Sequence, residues 1–175
     1  ADSSATLSWD YRVVSFDNMA NDISRGWYTD LPLDTLPEYS WLRSPCFNFE
    51  NSERPMISLD VYQSLIKDTE GVVLQSTIDG GKTWNTIGAE GEGINWYNSS
   101  QIEPAPGGSS SGWTGKEPFE ADGGWVDARH DLDSLARRRA EVREALREVA
   151  LVEVVRTHTV HDELAIDRVN AVHTI

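Results

Sequence analysis

The stretch Pro55-Met56-Ile57-Ser58-Leu59-Asp60-Val61-Tyr62-Gln63-Ser64 decides the fold class. Ile57, Leu59 and Val61 alternate with Ser58, Asp60 and Tyr62, and a period of two puts each set on one side of an extended chain. The pattern predicts a strand with one buried face. Downstream, Val72 to Ile78 and Thr83 to Ile87 flank Asp79-Gly80-Gly81-Lys82. The glycines admit the positive backbone angles of a tight hairpin, so the two runs are expected to pair antiparallel.

Outward from this centre, the run WDYRVVSFD from Trp9 to Asp17 is rich in aromatic and β-branched residues and predicts an opening strand, closed by the polar stretch Asn18 to Gly26. Pro32, Pro37 and Pro45 interrupt the segment that follows, which predicts a loop from Asp30 to Ser44. Trp125 to His130, the run VALVEVVRTHTV from Val149, and Ala165 to Val172 predict further strands. Between them, Leu132, Leu135, Val142, Leu146 and Val149 fall on one helical face, with Arg137 and Glu141 at helical spacing. A helix is predicted over about 133–148. The expected architecture is all-β: a two-sheet antiparallel jelly-roll sandwich carrying this helix, with residues 1–175 as a single domain. Its core is expected to include Ile57, Leu59, Val61, Val72, Leu74, Trp84, Val126, Ile166 and Val169.

Composition narrows the partners. The chain has 175 residues with 15 basic against 29 acidic ones, for a net charge of -14. Such a surface repels phosphate backbones and anionic lipid, so neither nucleic acid nor membrane insertion is expected. No apolar run approaches the roughly 20 residues a spanning helix needs. Cys46 is the only cysteine, which excludes an internal disulfide. The start at Ala1, with neither Met nor signal peptide, is what a processed or excised segment is expected to show.

Thr77-Ile78-Asp79-Gly80-Gly81-Lys82-Thr83-Trp84 fits [S/T]-x-D-x-G-x-T-W, the Asp box of sialidases and many secreted β proteins. Its expected role is structural: the carboxylate accepts hydrogen bonds within the turn and Trp84 packs beneath it. Trp96, Tyr97, Trp113 and Trp125 lie in or beside a glycine-rich region running from Ala89 to Gly124. Exposed indoles stack on the apolar faces of sugars, so these four are the candidate ligand-binding residues, with core packing as the rival reading. His158, His161, Asp162 and Glu163 lack the spacing of a transition-metal site, since residues three apart on a strand face opposite sides. His130 is read as a surface or hydrogen-bonding residue. No G-x-S-x-G elbow occurs, no catalytic residues are assigned, and no enzyme activity is expected.

In order along the chain, SFDN, Gly26-Trp27, SPCFNFEN, GVVLQSTIDGGKTWNTIG, NWYN, PGG, GWTG, GGWVDARHDLDSLA and AIDRV resemble the MAM-like, "choice-of-anchor" jelly-roll domains of exported bacterial surface proteins. The resemblance covers about 13–135 and 159–172, and implies a secreted or cell-surface accessory module for adhesion or glycan binding. It departs at ARRRAEVREALREVALVEVV, where such domains continue with a glycine and an alternating strand. In domains of this kind the terminal strands can lie side by side, which would bring Asp17 and Asp167 together. Calcium, a hard cation taking carboxylate and carbonyl oxygens, is the cofactor such a pair would hold. The expected function is a non-catalytic extracellular binding or adhesion module for polysaccharide or a protein surface ligand. The alternatives are a structural spacer or assembly subunit, or the accessory domain of a secreted hydrolase.

Overall fold

The computed structural model describes residues 9–14, 24–29, 38–44, 46–49, 52–103, 105–115, 125–133, 151–158 and 163–172. Strands dominate them: β1 (Trp9–Val14), β2 (Ser24–Thr29), β3 (Glu38–Arg43), β4 (Met56–Ser64), β5 (Gly71–Thr77), β6 (Asn85–Thr86), β7 (Val126–Asp131), β8 (Leu151–His158) and β9 (Glu163–Val172). A short 3-10 turn spans Pro106–Gly108. One sheet has the order β1-β2-β9-β4-β7 and the other β3-β8-β5-β6, with antiparallel pairing throughout. The all-β expectation holds for the described residues.

The alternation in β4 is realised as predicted. Ile57, Leu59 and Val61 are buried while Ser58, Asp60 and Tyr62 are half-exposed. They join Val72 and Leu74 of β5 and Ala128 of β7 in one hydrophobic cluster, against which Leu42 of β3 packs. Both sheets therefore contribute to the same core. Val126 is buried as expected, and Ile166 sits in ladder register with Val61. Trp84 departs from the expected core, being only half-buried.

Two strands lie where the sequence suggested connections. β2 occupies Ser24–Thr29 at the end of the polar stretch, and β3 occupies Glu38–Arg43 inside the segment read as loop. The prolines explain the error: Pro37 and Pro45 bracket β3 rather than interrupt it, and a proline forbids ladder hydrogen bonds only at its own position. β2 also overturns the expected neighbourhood of the terminal strands. It pairs with β1 on one side and β9 on the other, so β1 and β9 are not adjacent. The helix expected over about 133–148 lies outside the described residues beyond Asp133.

β5 is buried on both faces and along its edge. Trp113 forms a bridge with Val72 through two backbone hydrogen bonds of 2.9 Å. The Tyr97 hydroxyl accepts from the Leu74 N–H at 2.9 Å and donates to the Leu74 carbonyl at 3.1 Å. On the other sheet Ile94 bridges Arg129 of β7 in the same way, at 2.8 Å. The glycine-rich region thus forms a side wall across both sheets. An open strand edge exposes unpaired donors and acceptors, and this wall satisfies those of Val72, Leu74 and Arg129. Gly112 allows the close approach, because a Cβ there would stand 2.5 Å from the Val72 carbonyl oxygen.

Candidate functional site

The Asp-box turn is held by one carboxylate. Asp79 Oδ1 accepts from the Thr77 hydroxyl at 2.8 Å and from the backbone N–H groups of Lys82 and Thr83 at 2.9 Å. Oδ2 accepts from the Thr83 hydroxyl at 2.6 Å. These donors, the Thr83 hydroxyl foremost, hold the Asp79 carboxyl well below the usual carboxylate range. A carboxylate occupied in this way is a turn element, as its motif suggested. Gly81 takes the left-handed angle the turn needs, φ 86°, and Trp84 folds back against it.

Trp84 reaches β3. The guanidinium carbon of Arg43 lies 5.2 Å from the Trp84 ring centroid and 6.0 Å from that of Trp41. Both distances fall within cation–π range. Leu42 packs on the core, so strand alternation puts Trp41 and Arg43 on the outer face of the sheet. Trp41 is 38% exposed there. The result is an ordered series from Asp79 through the turn to Trp84, from Trp84 to Arg43, and from Arg43 to an exposed indole. Neither Trp41 nor Arg43 was singled out from sequence. The available signal was the alternation Ser40-Trp41-Leu42-Arg43 between two prolines.

The sequence-selected aromatics lie elsewhere. Trp96, Tyr97 and Trp113 are 2%, 3% and 2% exposed, so they are interior residues and not open stacking surfaces. Trp113 meets Trp96 and Tyr97 edge to face, with centroids 4.9 and 4.7 Å apart. Their polar atoms are satisfied internally: Trp96 Nε1 donates to the Ile87 carbonyl at 2.8 Å and Trp113 Nε1 to that of Asn95 at 3.1 Å. Burial pushes the Tyr97 phenol up from its ordinary value. The physical reason for the correction is that glycines let the backbone fold these rings inward, where they bury more apolar area than an exposed loop position allows. Trp125 alone of the four is half-buried, tilted against Tyr62 at 6.0 Å.

Asp17 lies outside the described residues, and Asp167 sits in β9 opposite Asp60 of β4. Asp60 is in turn opposite Asp127 of β7, whose carboxylate is bonded by Arg129 and held low by it. His130 lies tilted against Trp96 with ring centroids 4.9 Å apart, has Glu92 at 3.6 Å, and hydrogen-bonds through Nδ1 with the Asp131 carbonyl, which fits the hydrogen-bonding role expected of it. A polar recess of about 180 Å³ opens between Lys67, Glu90 and Gln101. Its floor is already committed: Ser99 donates to Asp68 at 2.6 Å, and the Asn98 amide is paired to the backbone of Thr114.

No protein-family model and no curated protein matches this chain. The functional reading therefore rests on its own residues.

Proposed function

We propose that the chain is a non-catalytic extracellular module, secreted or held at the cell surface, that binds a carbohydrate or a surface partner through the outer face bearing Trp41, Arg43 and Trp84. The two sheets are read as wound in the jelly-roll manner of the MAM-like domains the sequence resembles. The observation that carries the reading is the exposed Trp41 ring beside a guanidinium braced by Trp84. Aromatic and arginine side chains in one rigid cluster are the residue types that dominate recognition surfaces. A braced cluster also loses little side-chain entropy on binding. The experiment is a glycan array followed by calorimetry on intact protein, with Trp41→Ala as the comparison. Binding that disappears with Trp41 supports the proposal, and binding unaffected by Trp41→Ala overturns it.

Burial of Trp96 and Trp113 favours a second reading, a structural spacer or assembly subunit. In that case the aromatics serve the fold and the acidic surface keeps the module dispersed. Absence of any glycan or surface-partner binding at millimolar ligand, with an intact thermal transition, selects this reading over the first.

A further inference from the structure

We propose that His130 is a proton-operated latch on the turn from Gly88 to Gly93: the charged imidazole clamps Glu92 to β7, and the neutral imidazole releases it. The turn is anchored at both ends. Ile87 donates to the Leu74 carbonyl of β5 at 2.9 Å, and Ile94 exchanges two bonds of 2.8 Å with Arg129 of β7. Between these anchors Gly88, Gly91 and Gly93 take φ of 73°, 76° and 73°, left-handed angles that glycine leaves and regains at little steric cost. Glu92 gathers the segment. Its N–H donates to the Ala89 carbonyl at 3.1 Å, and its Oε2 accepts from the Ala89 N–H at 2.9 Å. A pull on the Glu92 carboxylate is therefore a pull on the whole turn. Glu90, part of the lining of the polar recess, belongs to the same turn and is carried with it.

The imidazole can hold that carboxylate in only one charge state. Its side chain is 10% exposed, enclosed by the Trp96 ring at 4.9 Å and by Gly88, where a Cβ would stand 2.5 Å from Nε2. The ring has little room to turn. Nδ1 bonds the Asp131 carbonyl, and a carbonyl only accepts, so the neutral ring keeps its proton on Nδ1 and its lone pair on Nε2. Nε2 is the atom that lies 3.6 Å from Glu92 Oε2. In the neutral state two acceptors face each other there. Protonation puts an N–H on Nε2, turns the facing atoms into an ion pair and sets the charge against the Trp96 ring. The other charged groups on the neighbouring elements are engaged elsewhere: Asp131 Oδ1 accepts from the Asp133 N–H, Arg129 is held by Asp127, and Glu90 lines the recess. On β4 the residue opposite His130 is Ile57, which carries no charge. Among the described residues Glu92 is the carboxylate within ion-pair distance of His130. Falling pH therefore closes the turn and rising pH frees it, over the range of about pH 5–8 in which imidazoles change charge.

The test uses the whole chain. Amide exchange of the turn is followed by pulse labelling at about pH 5.5 and about pH 8, each rate is divided by the intrinsic rate at that pH, and imidazole nitrogen shifts report the tautomer. Protection of the Ala89 and Glu92 amides is expected to be about fivefold or more greater at the lower pH, while that of Val72 and Leu74 in β5 stays the same. Glu92→Gln keeps an oxygen for the Ala89 N–H and removes the charge, so it is expected to abolish the pH difference in a folded protein. His130→Gln is expected to abolish it as well, with thermal melts to establish that the fold is kept; if that variant does not fold, Glu92→Gln decides. A pH difference that persists in either folded variant overturns the inference, as does equal protection at the two pH values in the parent. An Nε2–H tautomer at the higher pH also overturns it, because the neutral ring would then already donate to Glu92. The binding reading rests on Trp41 and is untouched by each of these outcomes.

Discussion

Two aromatic clusters in this protein differ in what surrounds them. Trp96, Tyr97 and Trp113 come from a stretch full of glycine and serine, yet they are interior residues with their polar atoms bonded to backbone. Trp41 and Trp84 come from a short proline-bracketed strand and a hairpin turn, yet both meet Arg43, a residue on the outer face of β3. The difference teaches that a flexible-looking composition does not mean an exposed side chain. Glycines remove the steric barrier to backbone approach, so large rings can be drawn over a sheet edge. A strand fixes alternation, so every second residue must face outward whether or not it is apolar.

The sharpest way to break the comparison is to truncate an interior ring. Trp113→Ala is expected to cost about 3–5 kcal/mol, because it removes transfer energy and leaves a cavity between Trp96 and Tyr97. Denaturant unfolding measures this directly. A loss under about 1 kcal/mol would mean that the ring is not in the core and that the two clusters are alike.

Tyr97→Phe is a milder change at the same wall. It deletes a hydroxyl that serves both the N–H and the carbonyl of Leu74, and the expected cost is about 1–3 kcal/mol for a buried donor left unpaired. The same residue predicts an alkaline limit. Burial raises the Tyr97 phenol, so its contribution to stability is full below the unfolded value of about 10 and is lost as pH rises through the folded value. Melting temperature should fall above about pH 10 in the parent and fall less steeply in Tyr97→Phe. Equal slopes would remove this phenol from the account.

How far the sequence could carry the reader depends on the range of the interactions. β4, β5 and β7 were legible because alternation and a glycine turn are local signals, and Ile57, Leu59, Val61, Val72, Leu74 and Val126 are buried as alternation requires. β3 was missed because its pairing partner, β8, comes from the far end of the chain, and β2 because it lies at the end of a polar stretch although it pairs with both β1 and the distant β9. The candidate site was missed for the same kind of reason. What covers a tryptophan is decided by residues distant in sequence: Trp113 lies on Val72, and Trp84 meets Arg43. The turn chemistry of Asp79 needed only its immediate neighbours, and it was read correctly.

Asp79 supplies the acid counterpart to Tyr97. Its carboxyl is held below the usual range by the Thr83 and Thr77 hydroxyls and by backbone N–H groups. Stability from this group is therefore full above the unfolded value of about 3.9 and declines as pH falls below it. Melting temperature between about pH 4 and pH 2 should drop less steeply in Asp79→Asn than in the parent. A smaller companion effect is expected in ligand binding, since the turn sets Trp84 and Trp84 braces Arg43. An acid limb identical in parent and variant would show that the turn is not held by the carboxylate.

The smallest expected effect on stability belongs to Trp41, and it separates the clusters most cleanly. Trp41 is 38% exposed, and Arg43, 6.0 Å from its ring, also meets Trp84. Trp41→Ala removes no interior volume from the shared core, because the core side of β3 is provided by Leu42. The expected change is about 1 kcal/mol, from the partly covered ring and its contact with Arg43, well below that of Trp113→Ala. Iodide should quench the parent's tryptophan fluorescence more than that of Trp41→Phe, while Trp96 and Trp113 stay protected in both. If quenching is unchanged by Trp41→Phe, or if Trp41→Ala unfolds the protein, then Trp41 is a packing residue like Trp113 and the outer face offers no indole to a ligand. Little loss of stability together with a clear loss of quenching leaves Trp41 the aromatic whose exposure the fold does not need.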